Sequence, residues 1–339
     1  MESAVKVLIT VDLSPESISQ IEAVSPLLEV SSVEAMKLEE VPEQAWQGVE
    51  ILYTHKVLPG PDLAPDLKWI QFHRAGNEAF MDEPILRKPD LVASTMSGAS
   101  APQVAEYVLE MCLALGHRLP EIIAHQQKAD WPAGRAEIFL PLELNRSTVG
   151  IVGYGSIGRE VARLLQAFGA TILATKHDVM HPSDPGYRID GSGDPDGDYV
   201  NRLYPAQALN SMLKECDFAV VCVPLTRNTE NLVGANQLDA MKPTAFLIDV
   251  SRGGVVNHED LLKALEEGQI AGAALDVFPE EPLPKDDPLW RSPSVILTPH
   301  IAGVSRDYDQ RAVTLFIENL NRYLDGKKPL NLIDLERGY

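Results

Sequence analysis

Two trains of short apolar runs, separated by amphipathic or turn-rich stretches, organise the chain. The first reads "VKVLIT", "VEAMKL", "ILYTHK", "LKWIQFH" and "LVASTM". The second reads "TVGIVG", "ATILAT", "FAVVCVP", "AFLIDV", "GAALDV" and "SVILTP". Runs of this length, alternating with helical stretches such as "NHEDLLKALEEG", predict βαβ units and parallel sheets. Six strands in the second train suit a dinucleotide-binding sheet. Between the trains, Val104, Tyr107, Val108, Met111, Cys112 and Leu115 recur at helical spacing and form one apolar stripe. The tail from Val313 through Phe316, Ile317, Leu320 and Tyr323 has the same period, and is expected to return to the first domain. The segment 181–204, dense in Gly, Pro and Asp, reads as a long surface loop.

Composition narrows the partners. A chain of 339 residues exceeds one ordinary core, so two domains are expected. Its 49 acidic residues outnumber 29 basic ones, giving a formal charge of −20. That balance argues against nucleic acid or an anionic membrane as partner, since phosphate binding draws on clustered Lys and Arg. Cys112, Cys216 and Cys222 have no metal-ligand spacing. They read as free thiols, which suits a reducing cytoplasm, and no metal is expected. The opening "MESAVKVLIT" lacks a basic region followed by a long apolar run, so neither signal peptide nor membrane span is expected.

Candidate chemistry begins at "VGIVGYGSIGREVARLLQAFG", where Gly153, Gly155 and Gly158 follow a β-branched strand and open an apolar-faced helix. In that context Gly153 permits the tight turn and Gly155 lets the backbone approach a pyrophosphate. Gly158 lets helix pack on strand, with the helix amides toward the anion. Tyr154, Ser156 and Ile157 complete the loop. The next strand, "TILATK", should end in the residue that meets the adenosine ribose. Lys176 stands where an acid is expected, which removes repulsion toward a 2′-phosphate and tilts the cofactor toward NADP(H).

Three later strands end in ionisable groups: "AFLIDVSRGG" with Arg252, "GAALDVFPEEPLP" with Asp276 and Glu281, and "VILTPHIAG" with His300. Ligands of open parallel sheets bind outside the carboxyl ends of strands, so all three should face one edge. Each alone reads as a solvated loop residue; together, beside a nucleotide loop, they read as a site.

"VGYGSIG", "VSRGGVV", "ALDVFPEEPLP" and "TPHIAG", in this order, resemble the D-isomer-specific 2-hydroxyacid dehydrogenase family, and the resemblance covers nearly the whole chain. It implies an α/β fold: a Rossmann dinucleotide-binding domain over 117–304, and a discontinuous flavodoxin-like substrate domain over 1–116 and 305–339. It implies hydride transfer between NAD(P)(H) and a small D-2-hydroxy or 2-keto acid, in a cytoplasmic homodimer. His300 matches the acid/base histidine, Glu281 its carboxylate partner, and Arg252 the arginine that binds and polarises the substrate. Asp276 resembles the acid at the nicotinamide carboxamide. Val223, Pro224 and Thr229 resemble the segment lining the adenosine and ribose, with Val250, Ser251 and Gly303 as further cofactor contacts. Amides at Ala75 and Gly76 would hold the substrate carboxylate. Three features depart from the family: Lys176, the length of 181–204, and Arg74, which could recruit a second anionic group. An NAD(H)-sensing, corepressor-like protein on the same fold stays open, as does phosphite oxidation; Glu281 argues against a formate dehydrogenase, which carries Gln there.

Overall fold

The computed structural model describes residues 4–338 and divides into two compact units, one from residues up to Ser100 together with Ser305 onward, the other Ala101–Val304. The division falls one helix earlier than the sequence suggested: the helix Ala101–Gly116 belongs to the second unit.

In the first unit, β1 (Val5–Ile9), β2 (Leu28–Ser32), β3 (Val49–Thr54), β4 (Trp69–Phe72) and β5 (Val92–Ser94) form one parallel sheet in the order β2-β1-β3-β4-β5. That is the flavodoxin-like order. "VEAMKL" is not a strand: β2 lies just before it, while Ala35 is buried from a loop. Ser14 caps the helix Pro15–Glu22 by accepting from the Ser17 amide, and Pro15 opens it with an already helical φ. The helix Tyr308–Leu324 buries Ala312, Val313, Leu315, Phe316 and Leu320, with Phe316 stacked on Tyr53 at 4.3 Å between ring centroids.

In the second unit, β6 (Thr148–Val152), β7 (Thr171–Lys176), β8 (Arg202–Pro205), β9 (Phe218–Val221), β10 (Phe246–Asp249), β11 (Gly272–Leu275) and β12 (Val295–Leu297) form a parallel sheet ordered β12-β11-β10-β9-β6-β7-β8. The order is the Rossmann one with an added edge strand, and its direction reverses at β6. β8, the third strand of the Rossmann order and the opposite edge of the sheet, falls at the end of the segment whose composition predicts a surface loop. Side chains alternate along each strand, so two cores form. Val149 and Ile151 face the helices Ala101–Gly116 and Ser156–Ala167, while Val152 and Val221 face Met212, Leu238 and Leu261. Residues 218–221 are wholly buried, as expected of a strand covered on both faces. Each large side chain so buried contributes about 1.5–3 kcal/mol.

Candidate active site

Parallel pairing brings the strand ends level. Val152 lies opposite Val221, Val221 opposite Asp249, Asp249 opposite Leu275, and Leu275 opposite Leu297. The residues that follow, 153, 222, 250, 276 and 298, therefore line one edge of the second unit. The glycine loop, Arg252, Glu281 and His300 all emerge there.

Glycines set the close approaches along this edge. Gly153 has φ +108°, a left-handed value that favours glycine, and a Cβ there would meet Val223 Cγ1 at 2.7 Å. A Cβ on Gly158 would meet the Gly153 carbonyl oxygen at 2.3 Å, so the helix packs onto the loop only without one. At Gly155 a Cβ would meet nothing within 4 Å, leaving open space in front of a helix N-terminus that no side chain caps. Such a cradle fits a dinucleotide pyrophosphate, whose oxygens can take first-turn amides that lack intrahelical partners. Tyr154 contributes backbone only: its ring is buried and its hydroxyl donates to Asp194. Ile157 is half-buried against the core. Thr229 Oγ1 donates to the Pro224 carbonyl at 2.6 Å and accepts from the Thr226 amide at 2.7 Å, closing the turn after Val223.

The second close approach joins two functional loops. A Cβ on Gly253 would lie 1.9 Å from the Phe278 carbonyl oxygen, so the segment carrying Arg252 presses against the one leading to Glu281. Arg252 Nη1 donates to the Ser251 carbonyl at 2.7 Å, which steers the guanidinium from its own loop. Val250 and Ser251 are buried beneath it. Ser251 donates from its amide (3.0 Å) and hydroxyl (2.5 Å) to Asp249. Burial pushes the Asp249 carboxyl up to about 7, Asp276 adding to the shift against the Ser251 bonds and the Arg252 charge.

His300 follows β12 with φ +54°. Its Nδ1 lies 2.8 Å from Glu281 Oε2, and the other Glu281 oxygen accepts from the Phe278 amide at 3.1 Å. Glu280 is exposed and Glu281 makes the contact. The imidazole keeps 45 % of its side-chain surface and the carboxylate 37 %, so the pair is open to a reactant. Other histidines meet carboxylates too: His258 with Asp287 at 2.9 Å, His125 with Asp130 at 2.8 Å, and His73 with Asp309 at 3.1 Å. His181 meets Asp178 at 2.7 Å beyond the end of β7, but the His300 pair follows β12 and faces the loop that carries Arg252. Position, more than pairing, marks it.

Asp276 is buried and holds the His300 loop. Its Oδ1 accepts from Thr298 Oγ1 at 2.6 Å and the Ile301 amide at 2.8 Å, and its Oδ2 accepts from the Ala302 amide at 2.9 Å. Gly303, next in the loop, accepts from Gln103 Nε2 at 2.8 Å. Lys176 ends β7 and donates to the His181 carbonyl and, at 3.1 Å, the Ser183 carbonyl. Burial, then Arg159, holds its ammonium below the usual lysine range. In the first unit, Arg74 follows β4 with its guanidinium 5.9 Å from the Phe80 ring centroid, and Ala75 and Gly76 continue the same loop. Sequence reasoning missed Asp249, Asp194 and Arg159. Asp249 alone left a signal, an acid closing an otherwise apolar strand.

A model of the NAD-binding domain of D-isomer specific 2-hydroxyacid dehydrogenases matches residues 109–302. A glyoxylate reductase of Thermofilum pendens is 35 % identical over 276 residues, which is 81 % of this chain and 77 % of that protein. A glycerate dehydrogenase of Methylorubrum extorquens is 30 % identical over 305 residues, covering 87 % and 88 %. Among solved structures, a D-isomer specific 2-hydroxyacid dehydrogenase of Xanthobacter autotrophicus Py2, in complex with NADPH and MES, superposes with a TM-score of 0.80 at 27 % identity over all of both chains.

Proposed function

Because the chain belongs to the D-isomer specific 2-hydroxyacid dehydrogenase family, we propose that it reduces small 2-keto acids of the glyoxylate and hydroxypyruvate kind, with His300 handling the proton. The protein is an NAD(P)-dependent oxidoreductase acting on 2-hydroxy acids. The bound nicotinamide supplies the hydride, or accepts it in the reverse direction. Reduction of the keto carbon leaves negative charge on its oxygen, which needs a proton donor within hydrogen-bond reach. With Nδ1 turned to Glu281, Nε2 of His300 is the nitrogen assigned to that donation, and Glu281 fixes the ring's orientation. Arg252 is assigned to the substrate carboxylate and the adjacent carbonyl, where a planar fork binds and polarises better than an ammonium. Amides of Ala75 and Gly76 are assigned to the carboxylate, and Arg74 to a second anionic group where the substrate has one.

For the cofactor, the reading is Gly153 to Gly158 on the pyrophosphate, Val223, Pro224 and Thr229 on the adenosine side, and Val250, Ser251, Asp276 and Gly303 toward the nicotinamide. NADP(H) is the preferred form. A cation at the end of β7 supports this, as does the likeness to a protein solved with NADPH. The assembly is a homodimer in the cytoplasm. Leu119, Ile122, Ile123, Trp131, Ile138 and Leu140 are exposed apolar side chains within one stretch of the second unit, and a second copy would cover them. Burial pushes the three thiols up to about 12, consistent with cysteines that stay reduced and unreactive.

The observation that carries the proposal is the 2.8 Å His300–Glu281 contact at the edge shared with the glycine loop. Oxidation of NADPH or NADH, followed at 340 nm over a panel of 2-keto acids, tests it. Turnover with glyoxylate or hydroxypyruvate is expected, and His300→Ala should lower kcat by about 10²–10⁴ while cofactor affinity stays within a few-fold. Tight cofactor binding with no turnover on any keto acid would favour a dinucleotide-sensing role instead.

A further inference from the structure

Two charged side chains lie buried where the segment 181–204, which the sequence reads as a surface loop, meets the helix after the glycine loop. Asp194 is 2 % exposed and Arg159 3 % exposed. A buried charge is tolerated only when its hydrogen-bonding capacity is met. Asp194 Oδ1 accepts from the amides of Gly197 (3.1 Å) and Asp198 (2.9 Å); Oδ2 accepts from the Tyr199 amide (3.0 Å) and from the Tyr154 hydroxyl. The Asp194 carbonyl accepts from Arg159 Nη1. Arg159 Nη2 reaches the Pro182 carbonyl at 2.5 Å, and its guanidinium covers the Tyr154 ring at 4.6 Å. Its Nε, which makes no hydrogen bond among the described residues, is compensated by the Asp184 carboxylate 3.3 Å away. One residue on, Glu160 accepts from the Gly193 amide at 2.6 Å while holding Arg163. Lys176 takes the carbonyls of His181 and Ser183.

Every one of these anchors belongs to the glycine loop, to the first turns of its helix, or to the end of β7. A stretch between β7 and β8 with no regular structure is long for a simple connection, and such loops usually serve a function. A surface excursion would leave its acids in water. This one turns Asp194 inward onto Tyr154, the residue between Gly153 and Gly155.

We infer that Asp194 is a positioning residue for the dinucleotide loop: the segment 181–199 is a brace that fixes Tyr154, and through it the backbone of residues 153–158, before the cofactor arrives. The inference rests on reading that loop as the cofactor site. The physical gain is preorganisation. A loop already held in its binding conformation loses less conformational freedom on binding, so more of the contact energy appears as affinity. Removing the brace should therefore weaken cofactor binding without touching any atom the cofactor meets.

Full-length wild type, Tyr154→Phe, Asp194→Asn and Asp194→Ala would be compared by fluorescence titration with NADPH and NADH, and by hydrogen exchange of amides 153–158 in the absence of cofactor. Tyr154→Phe deletes one hydroxyl and keeps the ring under Arg159, so it should fold. It should raise Kd about three- to tenfold, the effect of one hydrogen bond, and speed exchange across the loop. Asp194→Ala should exceed that, and Asp194→Asn, which retains one acceptor oxygen, should fall between. In steady state, KM for the cofactor should rise by a larger factor than kcat falls. A lowered Tm with Kd and loop exchange unchanged overturns the inference, since the brace would then be structural only. Should Asp194→Ala fail to fold, Tyr154→Phe decides the matter alone. If wild type binds neither dinucleotide, the reading of the glycine loop falls and the brace with it; if wild type binds and the variants bind equally well, the brace alone falls.

Discussion

Asp249 shows how one carboxyl records its surroundings. Burial raises it from an ordinary 3.8 to about 7, so the folded chain keeps a proton that the unfolded chain releases above about pH 4. Across that window the native state binds more protons than the unfolded state, and this group's contribution to stability falls as pH rises toward 7. The full effect is roughly 4 kcal/mol. Asp249→Asn removes the titration. Its Tm relative to wild type should climb between pH 4.5 and about 7 and level off above that in thermal unfolding, and a flat difference across the range would show that the carboxyl is ionised throughout. Lys176 can be judged the same way. Two carbonyls already receive its ammonium, and any 2′-phosphate competes for what remains. If it binds that phosphate, Lys176→Ala should reduce kcat/KM for NADPH about tenfold relative to NADH, the scale of one charged hydrogen bond. An unmoved ratio assigns Lys176 to holding the 181–183 turn.

Elements are where the sequence spoke most clearly, and where it failed for definable reasons. Runs such as "FAVVCVP" and "AFLIDV" are legible because a strand buried on both faces admits almost only apolar residues. The helix Ala101–Gly116 is legible because its stripe repeats over four turns. Both misread strands are sheet edges. β2 is half-exposed and mixes Glu and Ser with its apolar positions, and β8 is "RLYP", whose proline an edge strand tolerates and a central strand does not. Asp276 and His300 are visible in sequence as strand-end groups, but the bonds from Asp276 to residues 298–302 link separate strands and no local pattern announces them. The contact of Arg159 with Asp194 is hidden for the same reason. At this scale Gly253 matters most. Its Cβ would collide with backbone, C and O of Phe278 at 2.2 and 1.9 Å, which no rotamer change relieves. Gly253→Ala must part the loops bearing Arg252 and Glu281. Overpacking costs about 1–3 kcal/mol, and a shift of about 1 Å at a reacting group costs about 10²-fold in rate. Loss of kcat on that order, beside a Tm lowered by several degrees, is expected. A variant with wild-type kcat would mean that the spacing of those loops does not govern the chemistry.

For the whole molecule the balance lies between exposed apolar surface and net charge. Trp131 is 82 % exposed and Leu140 69 %, and Arg135 approaches the Trp131 ring at 5.9 Å from its centroid. Side chains of this size left in water favour association by about 25 cal/mol per Å² covered. Against this, each chain carries a formal −20, and two such chains repel at distances within a Debye length, about 8 Å at physiological ionic strength. The two forces respond to salt in opposite ways. Screening weakens the repulsion and leaves apolar burial intact or slightly strengthened, so a dimer closed through 119–140 should tighten as salt rises. A dimer held by ion pairs would loosen. Sedimentation at micromolar concentrations should give twice the chain mass, with dissociation shifted to lower concentration between 0.05 and 0.5 M NaCl. Trp131→Asp combined with Leu140→Asp should give the chain mass at both salts, because each carboxylate would have to be buried unpaired. Dimers that survive the double substitution would place the interface elsewhere, and a wild-type monomer at high salt would leave those apolar side chains without the partner proposed for them.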